Sequence, residues 1–304
     1  MAQSTGTDYD PATYWTTSAK NFRSSARLHL QHFLCQRTFG YLLESHVQDF
    51  VSNSQDGRGG PLRVADLGCG NGAWLCDLHD ELAKSGVPAQ LDGYDVNTAS
   101  FPAPAFLPPS IRLKELDILK PLPEELVGVY DIVHIRAFAS LLVDTGVAPL
   151  LPFIHAMLKP GGYLQWEEIR GDKFIVEASC DNPANACNTI SQILQAGGKA
   201  RGSDFTFIDQ LDLGIKSHGG FDDVHKRVFE KRRQDYKAWT EDILMIWGEL
   251  AVHFPLNADV PTAKITRESF LDLFRRAVKE TEQGVAVHQG VIVTAVGRKA
   301  ARVS

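Results

Sequence analysis

The sequence predicts an α/β protein: a central, mostly parallel sheet with helices on both faces, a helical cap before it and a helical insertion late in the chain. Three observations predict this. From Pro61 to Glu168, short apolar runs alternate with stretches of helical period, the pattern that builds parallel strands joined by crossover helices. VADLGCGNG, Val64 to Gly72, places three glycines at alternate positions where a strand turns into a helix. Acidic residues then recur at the ends of the next strands, as Asp95 and Asp117.

Taken in order, the chain begins with a helical cap over residues 1–60. Its helix runs from about Ser18 to Val51, on apolar positions such as Leu30, Phe33, Leu34, Phe39 and Leu42. The polar link SNSQDGRGG ends it. A strand through Leu67, a helix over Ala73 to Lys84 and a strand near Leu91 to Tyr94 follow. After a proline-studded stretch from Phe101 to Pro109 come strands at Ile111 to Leu116 and Tyr130 to Ile135. A helix around Val147 to Leu158 then leads to a strand at Tyr163 to Glu167. Residues 180–218 read as mainly helical and GGFDDVHKRVFEKR as a turn into a strand. A helical region reaches Trp247 and His253, and a last helix spans Arg267 to Glu282. VAVHQGVIVTAVG reads as one closing strand. Residues 61–304 therefore form one elaborated domain, with the insertion at about 180–265. The cap is expected over the carboxyl edge of the sheet, where open α/β sheets bind ligands.

Composition narrows the function. At 304 residues and 44% hydrophobic, the chain can fill a sizeable core. A net charge of -6 argues against a nucleic-acid partner, which needs a concentrated basic surface. The short basic run Lys231 to Arg233 is expected on a solvated helix face. No stretch is long and apolar enough to span a membrane, and the first residues lack the pattern of a secretory signal, so a cytoplasmic protein is expected. Five cysteines, Cys35, Cys69, Cys76, Cys180 and Cys187, without a CxxC pair suggest buried thiols rather than disulfides or zinc. No spaced carboxylate set suggests another metal.

The glycine turn narrows the ligand. A dinucleotide fingerprint reads GxGxxG, and here the third glycine comes one residue early. Asp66, two residues before the turn, would repel a pyrophosphate and attract an ammonium. Asp95 stands where an acidic side chain accepts hydrogen bonds from two ribose hydroxyls, and Asp117 where one reaches an adenine amino group. Each is also an ordinary turn residue, and Asp66 an ordinary helix cap.

At these residues the chain resembles the class I S-adenosylmethionine-dependent methyltransferases, over about Leu62 to Glu168. VADLGCGNG corresponds to the first family motif, Asp95 to the ribose position, LDI at Leu116 to Ile118 to the adenine position, and LKPGGYLQWEE to the entry of the fifth strand. The segments SSARLHLQHFL, YDIVHIRAF and LKPGGYLQWEE are similar to those of small fungal secondary-metabolite methyltransferases of the gliotoxin-pathway N-methyltransferase type. The resemblance implies a Rossmann-like class I methyltransferase fold with S-adenosylmethionine as cofactor and S-adenosylhomocysteine as product. It implies a small, mostly apolar substrate, with N-methylation favoured over O-methylation.

The implied cofactor contacts are Asp66, Gly68, Gly70, Asp95, Val96, Asp117 and Ile118; Tyr14 and Trp15, ahead of the cap helix, are candidates to close over the sulfonium or to serve in ordinary packing. His134 and Arg136 alternate on one strand, so both point to one side, as candidates to line the methionine end, and His134 is a candidate base or a hydrogen-bonded core histidine. Glu167 is the other candidate base. Trp15, His32, Phe138 and Glu168 are candidates for the acceptor. In RLHLQH, Arg27 with Gln31 and His29 with His32 share helix faces. A monomer or homodimer is expected. Three rival functions stay open: a methyltransferase-like pericyclase using the bound cation electrostatically, a non-enzymatic cofactor-binding regulator and, least favoured, an NAD-dependent oxidoreductase.

Overall fold

The computed structural model describes residues 22–53, 59–142, 145–178, 183–200, 202–256 and 264–301. Tyr14, Trp15 and Cys180 lie outside them.

The apolar runs that read as strands pair into one seven-stranded sheet. Its strands are β1 (Leu62–Leu67), β2 (Ala89–Asp95), β3 (Ile111–Glu115), β4 (Tyr130–Arg136), β5 (Leu158–Ile169), β7 (Phe221–Glu230) and β9 (Val291–Lys299), in the order β3-β2-β1-β4-β5-β9-β7. The first five are parallel. β9 is antiparallel to β5, and β7 to β9. This bears out the expected fold class. Each inner strand is buried on both faces, which explains their near-continuous hydrophobicity.

Strand alternation splits the core in two. Ala65, Leu67, Val133, Ile135, Leu164 and Trp166 face helices α4 (Leu151–Met157) and α6 (Leu211–Ser217). Leu62, Val64, Ile132 and Tyr163 face the opposite way, toward α2 (Ser45–Asn53) and α3 (Ala73–Lys84). By the same alternation Asp66, His134, Arg136 and Glu167 belong to the α3 side, and Glu168 to the α4 side. A third core joins α5 (Asn185–Ala200), α7 (Tyr236–Leu250) and α8 (Arg267–Glu282). A fourth seats α1 (Phe22–Phe39) on Trp239, Ile169 and Ile292. No described helix is long and apolar enough to cross a membrane.

Several expectations are corrected. The helix expected up to Val51 is two helices, because Gly40 adopts φ 76° and stops α1. The closing strand is also two pieces. Gly290, at φ 75°, breaks it into β8 (Ala286–His288) and β9, and β8 pairs with the unforeseen β6 (Ile175–Glu177) in a separate ribbon. The helix expected from Val147 begins only at Leu151, and the fifth strand starts at Leu158, earlier than expected. The basic run is solvated only in part: Arg233 is exposed, but Lys231 is 4% exposed, with its Nζ 4.0 Å from the Trp239 ring centroid and 3.4 Å from Gln289 Oε1. Burial pulls its amine down to about 8.

Candidate functional site

The carboxyl ends of β1, β2 and β4 meet the glycine turn and α1 around a pocket of about 410 Å³. The turn is built by residues free to take positive φ: Gly68 at 71°, Gly70 at 56° and Gly72 at 75°. A Cβ on Gly68 would stand 2.9 Å from the Phe138 ring, so the close approach also needs glycine. The turn's glycine amides are engaged internally. Gly68 and Cys69 donate to the Tyr94 carbonyl, Gly70 donates to Asp95 Oδ2 and Gly72 to the Cys69 carbonyl. A diphosphate would find these donors occupied and two carboxylates, Asp66 and Asp95, on the same wall.

Parallel register explains the charged wall. Asp66 stands opposite His134 on β4, and His134 and Arg136 stand opposite Gln165 and Glu167 on β5. Asp66 Oδ1 is 2.7 Å from His134 Nδ1, and His134 Nε2 is 3.4 Å from Glu167 Oε2. Arg136 Nε donates to the same Glu167 oxygen at 2.7 Å, and its Nη1 to His32 Nδ1 at 3.0 Å. The Trp74 ring stacks on His134 at 3.8 Å. Among the described residues, Asp66 Oδ2 and Arg136 Nη2 take no hydrogen-bond partner, and both residues line the pocket.

Electrostatics sorts the titratable groups. Burial opposes charge on His134, but Asp66 and Glu167 outweigh it and hold the imidazole above its ordinary range. Burial likewise opposes the Glu167 charge, yet Arg136 and His134 bring its carboxyl down to about 2. A carboxylate that acidic, with Gln165 Nε2 donating to Oε1 at 2.8 Å, is a poor proton acceptor. The expectation of Glu167 as base is therefore corrected: it does not line the pocket and anchors Arg136 instead. His134 lines the pocket, but both ring nitrogens are engaged by carboxylates, which favours the core-histidine alternative over the base.

Glu168 is also corrected as an acceptor contact. It faces away from the pocket, accepting from Trp166 Nε1 at 2.7 Å and the Phe138 amide at 2.9 Å, and burial pushes its carboxyl up to about 7. The other expected residues that lie within the described part of the chain gather at the pocket. Asp95 receives the Gly70 and Asn97 amides, and burial raises its pKa. Val96 and Ile118 line the same end, with Asp117 partly exposed and paired to Lys120 at 3.4 Å. Phe138 forms the far wall. On α1, Arg27, Gln31 and His32 line the pocket while His29 faces solvent, so that second helical pair is split.

Two residues escaped sequence reasoning. Trp74 had a signal, an aromatic just inside the helix that follows the glycine turn, but only the fold stacks it on His134. Ala137 had none. It adopts φ 54° directly after β4, a conformation costly for a residue with a Cβ, and it swings Phe138 across Gly68.

No family model matches the chain. Among curated proteins, Methyltransferase grgD of a Penicillium species is 29% identical over 172 residues, 55% of this chain and 58% of that protein. N-methyltransferase tcpN of Claviceps purpurea is 33% identical over 108 residues, 35% of this chain and 37% of that one. N-methyltransferase verN of Clonostachys rogersoniana is 24% identical over 168 residues, 55% of each. The chain is thus similar to fungal methyltransferases, and it spans between 37% and 58% of the length of these relatives.

Proposed function

We propose that the chain is an S-adenosylmethionine-dependent methyltransferase acting on a small, mostly apolar metabolite, with nitrogen the favoured acceptor. One observation carries this reading. Among the described residues, an open carboxylate oxygen on Asp66 and an open guanidinium nitrogen on Arg136 share a pocket wall beside a turn whose glycine amides are already engaged. Such a wall suits a zwitterionic amino-acid head and disfavours a diphosphate. Asp95 suits two ribose hydroxyls, since a carboxylate holding two amides keeps further lone pairs. Asp117 and Ile118 suit a purine.

When bound, the cofactor would supply an electrophilic methyl on a sulfonium. The chain's own residues align and desolvate the acceptor. Leu28, Phe138 and Leu141 offer an apolar wall, and Arg27 and Gln31 polar contacts above it. With His134 and Glu167 both held by partners, the pocket favours an acceptor that is nucleophilic while neutral, such as an amine or indole nitrogen. The N-methyltransferase relatives support nitrogen as well.

Calorimetry with S-adenosylhomocysteine tests the cofactor reading. We expect binding in the micromolar range or tighter, and Asp95→Ala should weaken it by about 1–3 kcal/mol. Unchanged affinity in that variant would remove the ribose role. Appearance of S-adenosylhomocysteine on incubating the protein and S-adenosylmethionine with candidate amines tests the transfer.

A further inference from the structure

Arg136 is held toward the pocket from the cap by a histidine whose protonation state its neighbours dictate. A guanidinium only donates hydrogen bonds, so His32 Nδ1, 3.0 Å from Arg136 Nη1, must present its lone pair. A carboxylate only accepts, so Nε2, 3.0 Å from Asp77 Oδ2, carries the proton. The two contacts together specify the neutral Nε2–H tautomer. A second proton on Nδ1 would break the bond to Arg136 and set two cations against each other.

The surroundings agree with that state. His32 is 9% exposed and faces Arg136 from β4, Asp77 from α3 and Asp66 from β1, with Glu167 of β5 behind Arg136. On its own helix, Arg27 lines the same pocket and His29 points to solvent. Burial, with Arg136 adding to it, keeps the imidazole below its ordinary range against the pull of Asp77 and Asp66. An arginine does not pass protons on near neutral pH, so the chain Asp77, His32, Arg136, Glu167, His134, Asp66 orients groups rather than conducting.

We propose that His32 is a positioning residue: its neutral imidazole fixes Arg136 so that Nη2 meets the carboxylate of the ligand's amino-acid head, and protonation of His32 weakens that end of the ligand alone. This role rests on the pocket's being a site for S-adenosylmethionine. It also replaces the expectation that His32 contacts the acceptor, and it ties α1 to the charged wall through the bond between His32 and Arg136.

The test compares two ligands by calorimetry. S-adenosylhomocysteine carries the amino-acid head, and 5′-methylthioadenosine lacks it. In the parent chain, affinity for S-adenosylhomocysteine relative to that for 5′-methylthioadenosine should fall at least about two-fold between about pH 8 and about pH 5. His32→Asn keeps an acceptor oxygen that does not titrate. It should bind both ligands like the parent at the higher pH and lose the pH dependence. His32→Leu should bind S-adenosylhomocysteine about ten-fold more weakly at both pH values and 5′-methylthioadenosine normally.

A parent whose preference between the two ligands is independent of pH overturns the role, as does His32→Leu binding both like the parent. In those cases 5′-methylthioadenosine still binds and the cofactor reading stands. Binding of neither ligand by a folded parent overturns both. Should His32→Leu fail to fold, the parent and His32→Asn pH profiles decide.

Discussion

Glu167 and Glu168 show how far chemistry depends on one step of strand alternation. The two carboxyls are adjacent in sequence and both fully buried, yet one is brought down to about 2 and the other pushed up to about 7. Glu167 meets Arg136 and His134, whereas among the described residues Glu168 meets only neutral donors, and its Oε2 has no partner there. The folded-state value of Glu168 lies above the ordinary 4.5, so the folded chain holds that proton more tightly than the unfolded one. The stability it contributes is therefore full below about pH 4.5 and is lost as pH rises through about 7. Glu168→Gln keeps an acceptor for Trp166 and Phe138 without the charge. It should raise the stability measured by urea unfolding at about pH 8 by about 1–2 kcal/mol and leave it nearly unchanged at about pH 4.5. An equal effect at both values would contradict a buried charge as the cause. Nothing in the dipeptide itself distinguishes the two, because their partners come from other strands.

At the scale of elements, period and punctuation located most strands and helices, since apolar alternation is a local property. The breaks were harder. Gly40 and Gly290 each interrupt what reads as one continuous element, and an isolated glycine does not announce whether its φ will be positive. Lys231 misled for another reason: a lysine's ordinary place is solvent, and only the packing of β7 and α7 puts its amine on Trp239. Gly162 shows the opposite case, an element held by backbone contact. A Cβ there would lie 2.8 Å from the Asp131 carbonyl oxygen and 3.2 Å from that of Tyr130, where the β4 and β5 register shifts. Backbone atoms in a central strand cannot step aside as a side chain does. Gly162→Ala should destabilise the fold by about 2–3 kcal/mol, read from the urea midpoint. A change under about 0.5 kcal/mol would mean that the strand pair yields there.

Across the whole molecule, the pocket lies where separate cores meet. Its floor belongs to β1, β2 and β4, and its roof is α1, which packs on Trp239 of α7. A ligand seated there would join the sheet to the cap. S-adenosylhomocysteine at about one hundred times its dissociation constant should add about 2.7 kcal/mol to the unfolding free energy. Protection from amide exchange should extend along Phe22–Phe39 as well as through the glycine turn. Protection limited to the turn would show that the roof does not take part in binding.

The sequence alone determined the α/β class, the glycine turn, and the acidic positions Asp66 and Asp95, because each is encoded within a few consecutive residues whose conformational preferences are local. Only the tertiary structure decided that His134 is clamped between two carboxylates, that Glu167 pairs with an arginine, and that a cap histidine bonds to that arginine. Those outcomes are set by strand register and by the seating of α1 across the sheet, which bring together groups as far apart in the chain as residues 32 and 136. A charge takes its properties from the charges and the burial around it, and those neighbours exist only once the chain has folded.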